Sequence, residues 1–319
     1  YYIAAINIEA VYHGLVGGDY VPFEGICLTD TFQMYEKEDM IDALLEDNSA
    51  RRKRQKQLDI RVIFGNPPYS AGQESANDDA ANIDYEYLDA RIASTYIAKS
   101  LGKGGKRSSY DSYIRAIRWA SDRIGESGVI GFVTNAGFLE SSSADGLRKC
   151  LADEFSSIYV FHLRGNQRTS GEVSRKEGGK IFGSGSRAPI AISILVKNPA
   201  AKQHGQVYFN DIGDYLSREE KFAKISSYAS IAGIDSSGGW STITPDQYGD
   251  WLGQRDEGYS THLLIGTKKK TTEAKLFEVF SNGVVTNRDA WVYNYSRGML
   301  GRNAQGMICL LYTSDAADE

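Results

Sequence analysis

The chain has 319 residues, 41% of them hydrophobic and 24% charged, with a formal net charge of −5, a composition that reads as soluble and globular, with room for one large domain or two ordinary ones. No run of eighteen apolar residues occurs, which excludes a membrane-spanning helix. The three cysteines, Cys27, Cys150 and Cys309, have no paired spacing, which argues for a reducing compartment and against a disulfide framework or a zinc site.

The sequence begins at Tyr1, without a signal-peptide pattern, inside the apolar helix-like run YYIAAINIEAVYHGL. It is therefore expected to be an internal piece of a longer protein. Apolar periodicity then predicts a buried strand over 23–29 ending at Asp30, a charged helix over 36–57 ending in RRKRQKQ, and a strand over 60–65. A polar loop to about 84 precedes helices near 85–101 and 110–125, joined by the flexible linker GKGGK. Strands over 128–134, 157–163 and 188–196 and a helix over 143–155 complete the pattern. Strands alternating with helices imply an α/β domain with a mostly parallel sheet, whose ligands sit beyond the carboxyl ends of the strands. Asp30, Asn66, Asn135 and Arg164 all follow predicted strands at that end.

After about 197 the alternation fades and aromatic, Gly and Ser content rises. Residues 1–199 are expected to form the catalytic part, 200–234 a connector and 235–308 the start of a second region. The tail CLLYTSDAADE (309–319) has no period and resembles a translated sequencing adapter, so natural sequence is expected to stop near Ile308.

The most informative stretch is IRVIFGNPPYSAGQ (60–73). Two prolines fix φ and remove two backbone donors, and Asn66 before Pro67 is pushed towards an extended conformation. The corner holds its side chains and free carbonyls in nearly one geometry. That suits methylation of an exocyclic amine, a poor nucleophile because its lone pair is delocalised. The Asn66 side-chain oxygen and the Pro67 carbonyl can each accept an N–H from the amine, Pro68 stiffens the corner, and Tyr69 offers a face for stacking a base that has left the duplex. The bland alternative is a rigid strand-to-helix turn. Methyl transfer from a sulfonium requires no metal, and the four histidines show no ligand spacing.

The loop 164–187 carries six basic residues against two glutamates in a glycine-rich frame at the same end of the sheet. Arg164, Asn166, Arg168, Arg175 and Lys176 are candidates for contacts to a nucleic-acid backbone, provided the loop is mobile, the alternative being a solvated loop. RRKRQK (51–56) and KKK (268–270) read as solvated faces or domain contacts. Asn287 and Arg288 in TNRDAW could reach base edges or backbone, although Asp289 could simply pair with Arg288.

NPPY together with GVIGFVTNAGFL and LRGNQRTSGE resembles amino-group DNA methyltransferases of the N6-adenine type. YYIAAINIE…VYH and GVVTNRDAWVYN narrow the resemblance to the methyltransferase part of Type ISP restriction–modification enzymes, and it covers nearly all of 1–308. It implies a Rossmann-like class I methyltransferase sheet, truncated at its N-terminus, followed by part of a mixed α/β target-recognition region. It also implies S-adenosyl-L-methionine as cofactor, double-stranded DNA with a flipped adenine as partner, and upstream nuclease and helicase domains in the same polypeptide, in the cytoplasm of a bacterium or archaeon. By resemblance, Asp30, with Thr31 and Phe32 beside it, contacts the cofactor's adenine; otherwise Asp30 is a helix cap. The family's glycine-rich cofactor loop would lie upstream of Tyr1, so the fragment alone is expected to be inactive. RNA-adenine and protein-glutamine methyltransferases, or a non-catalytic DNA-recognition piece, remain the competing readings.

Overall fold

β-Branched and aromatic runs build six strands: β1 (Val62–Gly65), β2 (Gly128–Asn135), β3 (Ser157–Arg164), β4 (Ile190–Lys197), β5 (Gln206–Asp211) and β6 (Ser241–Ile243). The computed structural model describes residues 2–35, 46–68, 85–101, 106–183, 187–256, 258, 261–266, 274–279, 281 and 289–315. Tyr69, Asn287 and Arg288 lie outside the described residues. The strands form one sheet in the order β1-β2-β4-β3-β5-β6.

The α/β class is as expected, but the sheet is mixed rather than mostly parallel. β1 pairs parallel with β2 and β3 parallel with β5, whereas β4 runs antiparallel between β2 and β3, and β6 antiparallel to β5. Inward-facing residues recur at period two whichever way a strand runs, so the pattern carries no direction.

Helices α1 (Tyr2–Val16), α2 (Glu46–Gln57), α3 (Glu86–Ile92), α4 (Ser112–Arg123) and α5 (Asp145–Glu154) occupy the first part of the chain. α3 continues into a wider π-type turn over Ala93–Ile97, so the predicted helix 85–101 is irregular. Leu88, Ile114, Ile117 and Leu151 of α3, α4 and α5 pack with Ile130, Phe132, Ile158 and Val160 of the sheet in one core. Arg118 of α4, 1% exposed, fastens that layer. Its guanidinium donates twice to Glu154, at 2.7 and 2.8 Å, and once to Asp122, at 2.7 Å, while Arg91 donates to Asp122 from α3. On the other face, α7 (Arg218–Tyr228) and α8 (Ile231–Ser236) cover the β3–β4 half through Phe161, Ile225 and Ile234. On that face Val62 and Phe64 of β1 stand 62% and 84% exposed.

Residues 23–29 do not form the predicted strand. No described strand lies beside them to complete a ladder. Instead Leu28 is held by one buried side chain: its N–H donates to Asn48 Oδ1 at 2.8 Å, and its carbonyl accepts from Asn48 Nδ2 at 2.8 Å. The stretch expected as a connector supplies β5 and α7, and the chain divides into compact units at Arg255/Asp256. The second unit contains α9 (Asp289–Val292), α10 (Arg297–Asp315) and a bridge between Leu264 and Lys275. Cys309 to Asp315, expected to be foreign tail, continue α10. Among the described residues no helix is long and apolar enough to cross a membrane.

Candidate active site

β1, β2, β3 and β5 run in one direction, so Gly65, Asn135, Arg164 and Asp211 terminate at the same edge of the sheet. The Asn66-Pro67-Pro68 corner leaves β1 at that edge. Asn66 is exposed, Pro67 half-buried and Pro68 exposed. The Asn66 amide makes no hydrogen bond among the described residues, so its oxygen is available to a ligand. Asn135 differs: its Oδ1 accepts the N–H of Gly137 at 2.8 Å and caps the turn that follows β2.

A cavity of about 480 Å³ opens at the ends of β2 and β3. Asn135, Asp111, His162, Asn166, Arg168 and Glu177 are among its walls. Asp111 caps α4, accepting from Tyr113 N–H at 3.4 Å, and is thereby drawn into the cavity wall. Ser108, Ser143 and Ser141 form a chain of hydroxyls on the same wall, with Oγ separations of 3.1 and 2.8 Å. Of the predicted site residues the cavity gathers Asn166 and Arg168; Asn66, Pro67 and Pro68 stand outside its lining.

Asp30 does not end a strand. Its Oδ1 accepts the N–H of Phe32 at 3.0 Å, capping the single turn Phe32–Tyr35, and its Oδ2 accepts from the Tyr85 hydroxyl at 2.7 Å. Burial, reinforced by that bond, pushes the Tyr85 phenol well above its usual range, so it stays a donor. The half-buried Phe32 ring meets Tyr85 edge-on at 5.3 Å, and the exposed Thr31 lies between. Sequence reasoning missed Tyr85, which is 55 residues away from Asp30; an aromatic at the head of a predicted helix carries no mark of a distant partner.

The loop 164–187 was expected to be mobile. Among its described residues it is tied down and contains a short helix, α6 (Gly171–Glu177). Gly165 N–H donates to Glu177 O at 3.2 Å, Asn166 N–H to Glu177 Oε2 at 2.9 Å, and Gln167 N–H to Arg187 O at 2.9 Å. Gly178 and Gly179 lie flat against the start of α7. A Cβ on Gly178 would stand 2.2 Å from Leu216 O, and one on Gly179 2.5 Å from Arg218 N. Gly178 also has a φ of +66°, open to glycine at little cost.

The cations of this loop differ sharply. Arg164 is spent on Asp211 at 2.7 Å and Asp214 at 2.5 Å. Burial would raise the Asp211 carboxyl, but bonds from His162, Arg164 and the Gly213 N–H outweigh it and hold the group well below the usual carboxylate range. Arg175 pairs with Glu172 at 2.5 Å, and Lys176 stands 3.9 Å from Asp214, both on the surface. The Arg168 side chain has no ion-pair or hydrogen-bond partner among the described residues. In the RRKRQK helix, Arg54 pairs with Glu24 at 3.0 Å, and Arg123 caps the helix end through Gln55 O and Leu58 O.

The chain is 48% identical over 95% of its length to a nuclease-deletion mutant of the Type ISP restriction–modification enzyme LlaGI in complex with a DNA substrate mimic, with a TM-score of 0.81, and covers 24% of that chain. It is 39% identical over 94% of its length to the ATP-dependent Type ISP enzyme LlaBIII bound to DNA, with a TM-score of 0.82, covering 20% of that chain. A DrdV–DNA complex matches at 35% identity over 96% of this chain and 30% of that one, with a TM-score of 0.80. The chain thus spans less than a third of the length of these structures. No family model and no curated protein matches it.

Proposed function

We propose that this chain, which corresponds to a segment of Type ISP restriction–modification enzymes, carries the methyltransferase activity that modifies the exocyclic N6 amine of adenine in DNA, with S-adenosyl-L-methionine as donor. The observation that carries the reading is the Asn66 amide, unbonded among the described residues, in a corner with two prolines directly after β1, at the edge where three further strands end.

The residues present fit one edge of the donor. Both Asp30 oxygens are oriented by chain donors, yet each keeps a second lone pair for an amino group. Phe32, braced by Tyr85, supplies an apolar face beside it. The bound donor supplies a methyl group on a sulfonium, whose departure leaves a neutral thioether. Asn66 Oδ1 and the Pro67 carbonyl accept the two N–H groups of the target amine and favour the pyramidal nitrogen that attacks. The prolines keep both acceptors from following the amine as it moves, so the bonds tighten towards the transition state. Tyr69, outside the described residues, is assigned the stacking face, and Asn287 and Arg288, likewise outside them, contacts to DNA.

The test is product identity. The full-length enzyme carrying this segment is incubated with labelled donor and duplex DNA, single-stranded RNA or glutamine peptides. Label is expected in DNA as N6-methyldeoxyadenosine. Label in RNA or peptide alone, or as N4-methylcytosine, would overturn the assignment.

The loop's cations give a second expectation. A cation already paired with a carboxylate releases fewer counterions from DNA than a free one. Arg168→Gln is therefore expected to weaken binding to all DNA sequences alike and to reduce the slope of log K against log salt by about one. Arg175→Gln and Lys176→Gln should each change it by less. Equal slopes for all three variants would mean that the ion pairs with Glu172 and Asp214 open on DNA.

A further inference from the structure

We infer that Lys221 is a positioning residue for substrate DNA, a buried ammonium that pins the cavity wall formed by Asn166, Arg168 and Glu177 from behind. The inference rests on the DNA-methyltransferase reading and adds a residue to it that touches neither substrate nor cofactor.

Lys221 lies in the first turn of α7 and is 0% exposed. A lysine is almost never fully buried unless something holds its charge. Here Nζ donates to Glu177 O at 2.8 Å and to Gly179 O at 2.7 Å. Glu177 O closes α6, so the ammonium sits at the negative end of that helix. The same carbonyl accepts from Gly165 N–H, and the Glu177 carboxylate accepts from Asn166 N–H. One charge thus gathers both ends of the segment that presents Asn166 and Arg168 to the cavity. The lysine itself is placed by a capping box: Ser217 Oγ accepts from Glu220 N–H at 3.2 Å, and Glu220 Oε2 accepts from Ser217 N–H at 2.8 Å. The two glycines allow the loop to approach α7 closely enough to be gripped.

The charged groups facing Lys221 are Glu177 of α6, Arg164 of β3 and Asp211 of β5. Burial lowers its pKa to about 8, against the raising effect of Glu177. Below that pH the ammonium makes two charge-assisted bonds. Above it the amine keeps its donors but loses the charge assistance, which roughly halves the strength of such bonds.

The test uses the full-length enzyme, as wild type and as Lys221→Met, between about pH 7 and pH 9.5, a range that brackets the lowered pKa without reaching that of an ordinary lysine. Three readouts are taken: kcat for methylation, KM for DNA, and amide-exchange protection of Gly165, Asn166 and Gly179 in the free protein. At neutral pH the variant is expected to raise KM about tenfold, the scale of one lost hydrogen bond to a charged group. Its kcat should stay nearly constant, as for binding made equally in ground and transition states. Protection of the three amides should fall. Wild-type KM should rise a few-fold through about pH 8, while the variant shows no such step. A wild-type KM without that step, or a variant with wild-type KM, overturns the inference. Absence of DNA methylation by the wild type would refute the functional reading instead, and unchanged amide protection in the variant would still overturn the pin.

Discussion

Asn66→Ala in the full-length enzyme is expected to lower kcat for methylation at least about a hundredfold, the scale of one lost oxyanion-type contact. DNA binding should remain largely intact. The amide is exposed and bonds to no described residue, so its removal leaves no buried group unsatisfied and little reason for the fold to suffer. The two prolines hold the backbone whichever side chain stands before them. The loss should fall on kcat rather than on KM, because the acceptor's bonds strengthen only as the amine nitrogen becomes pyramidal. Asn66→Ser tests the acceptor argument further: a hydroxyl retains some acceptor capacity and should recover part of the rate. Steady-state rates with labelled donor measure both. A near-normal rate for the alanine variant would remove Asn66 from the chemistry.

Arg148→Met should have the largest effect on stability. Arg148 of α5 is 0% exposed and serves four acceptors. Its Nε donates to Gly249 O at 2.8 Å, Nη1 to Phe138 O and Ser141 O at 2.8 Å each, and Nη2 to the buried Asp250 carboxylate. Methionine fills the volume but takes the guanidinium donor from Gly249 O and Phe138 O, leaves Ser141 O only the N–H of Ala144 at 3.1 Å, and leaves Asp250 to Arg255, whose side chain is 38% exposed. Breaking a buried ion pair from one side costs about 3–5 kcal/mol. For a domain of this size that corresponds to a fall in Tm on the order of 10 °C, measurable by calorimetry. Lysine should rescue poorly, because one ammonium cannot reproduce a planar fork. A melting temperature within about a degree of wild type, well under one kcal/mol on that scale, would mean that water replaces the lost donors. Ser141 lines the cavity and Phe138 lies between its lining residues Gly137 and Leu139, so the same variant should also blur the site.

The end of β1 at Gly65 was legible because proline imposes its constraint locally: Pro67 and Pro68 cannot continue a strand's ladder. The class of the fold was legible for a similar reason, since strand and helix periods are written within each element. What could not be read is what joins distant residues. Asp30 reads alike whether or not Tyr85 reaches it. Lys221 looks like one more charge in REEKFAK, and its burial follows from how α7 meets a loop forty residues earlier. The basic loop was read as a net positive charge because sequence counts charges, its two glutamates included, and cannot see that Glu172 takes Arg175 or that Asp211 and Asp214, beyond the loop, take Arg164. β4 was recognised as a strand, but its direction depends on a connection whose path no period records.

β1 has a consequence of its own. It is four residues long and, among the described residues, hydrogen-bonded on one side only, with Val62 and Phe64 bare on one face. An open ladder of this kind accepts any extended segment that presents matching backbone groups. Val62 and Phe64 would lie beneath such an added strand, which would extend the sheet by one member at the end from which Asn66 departs.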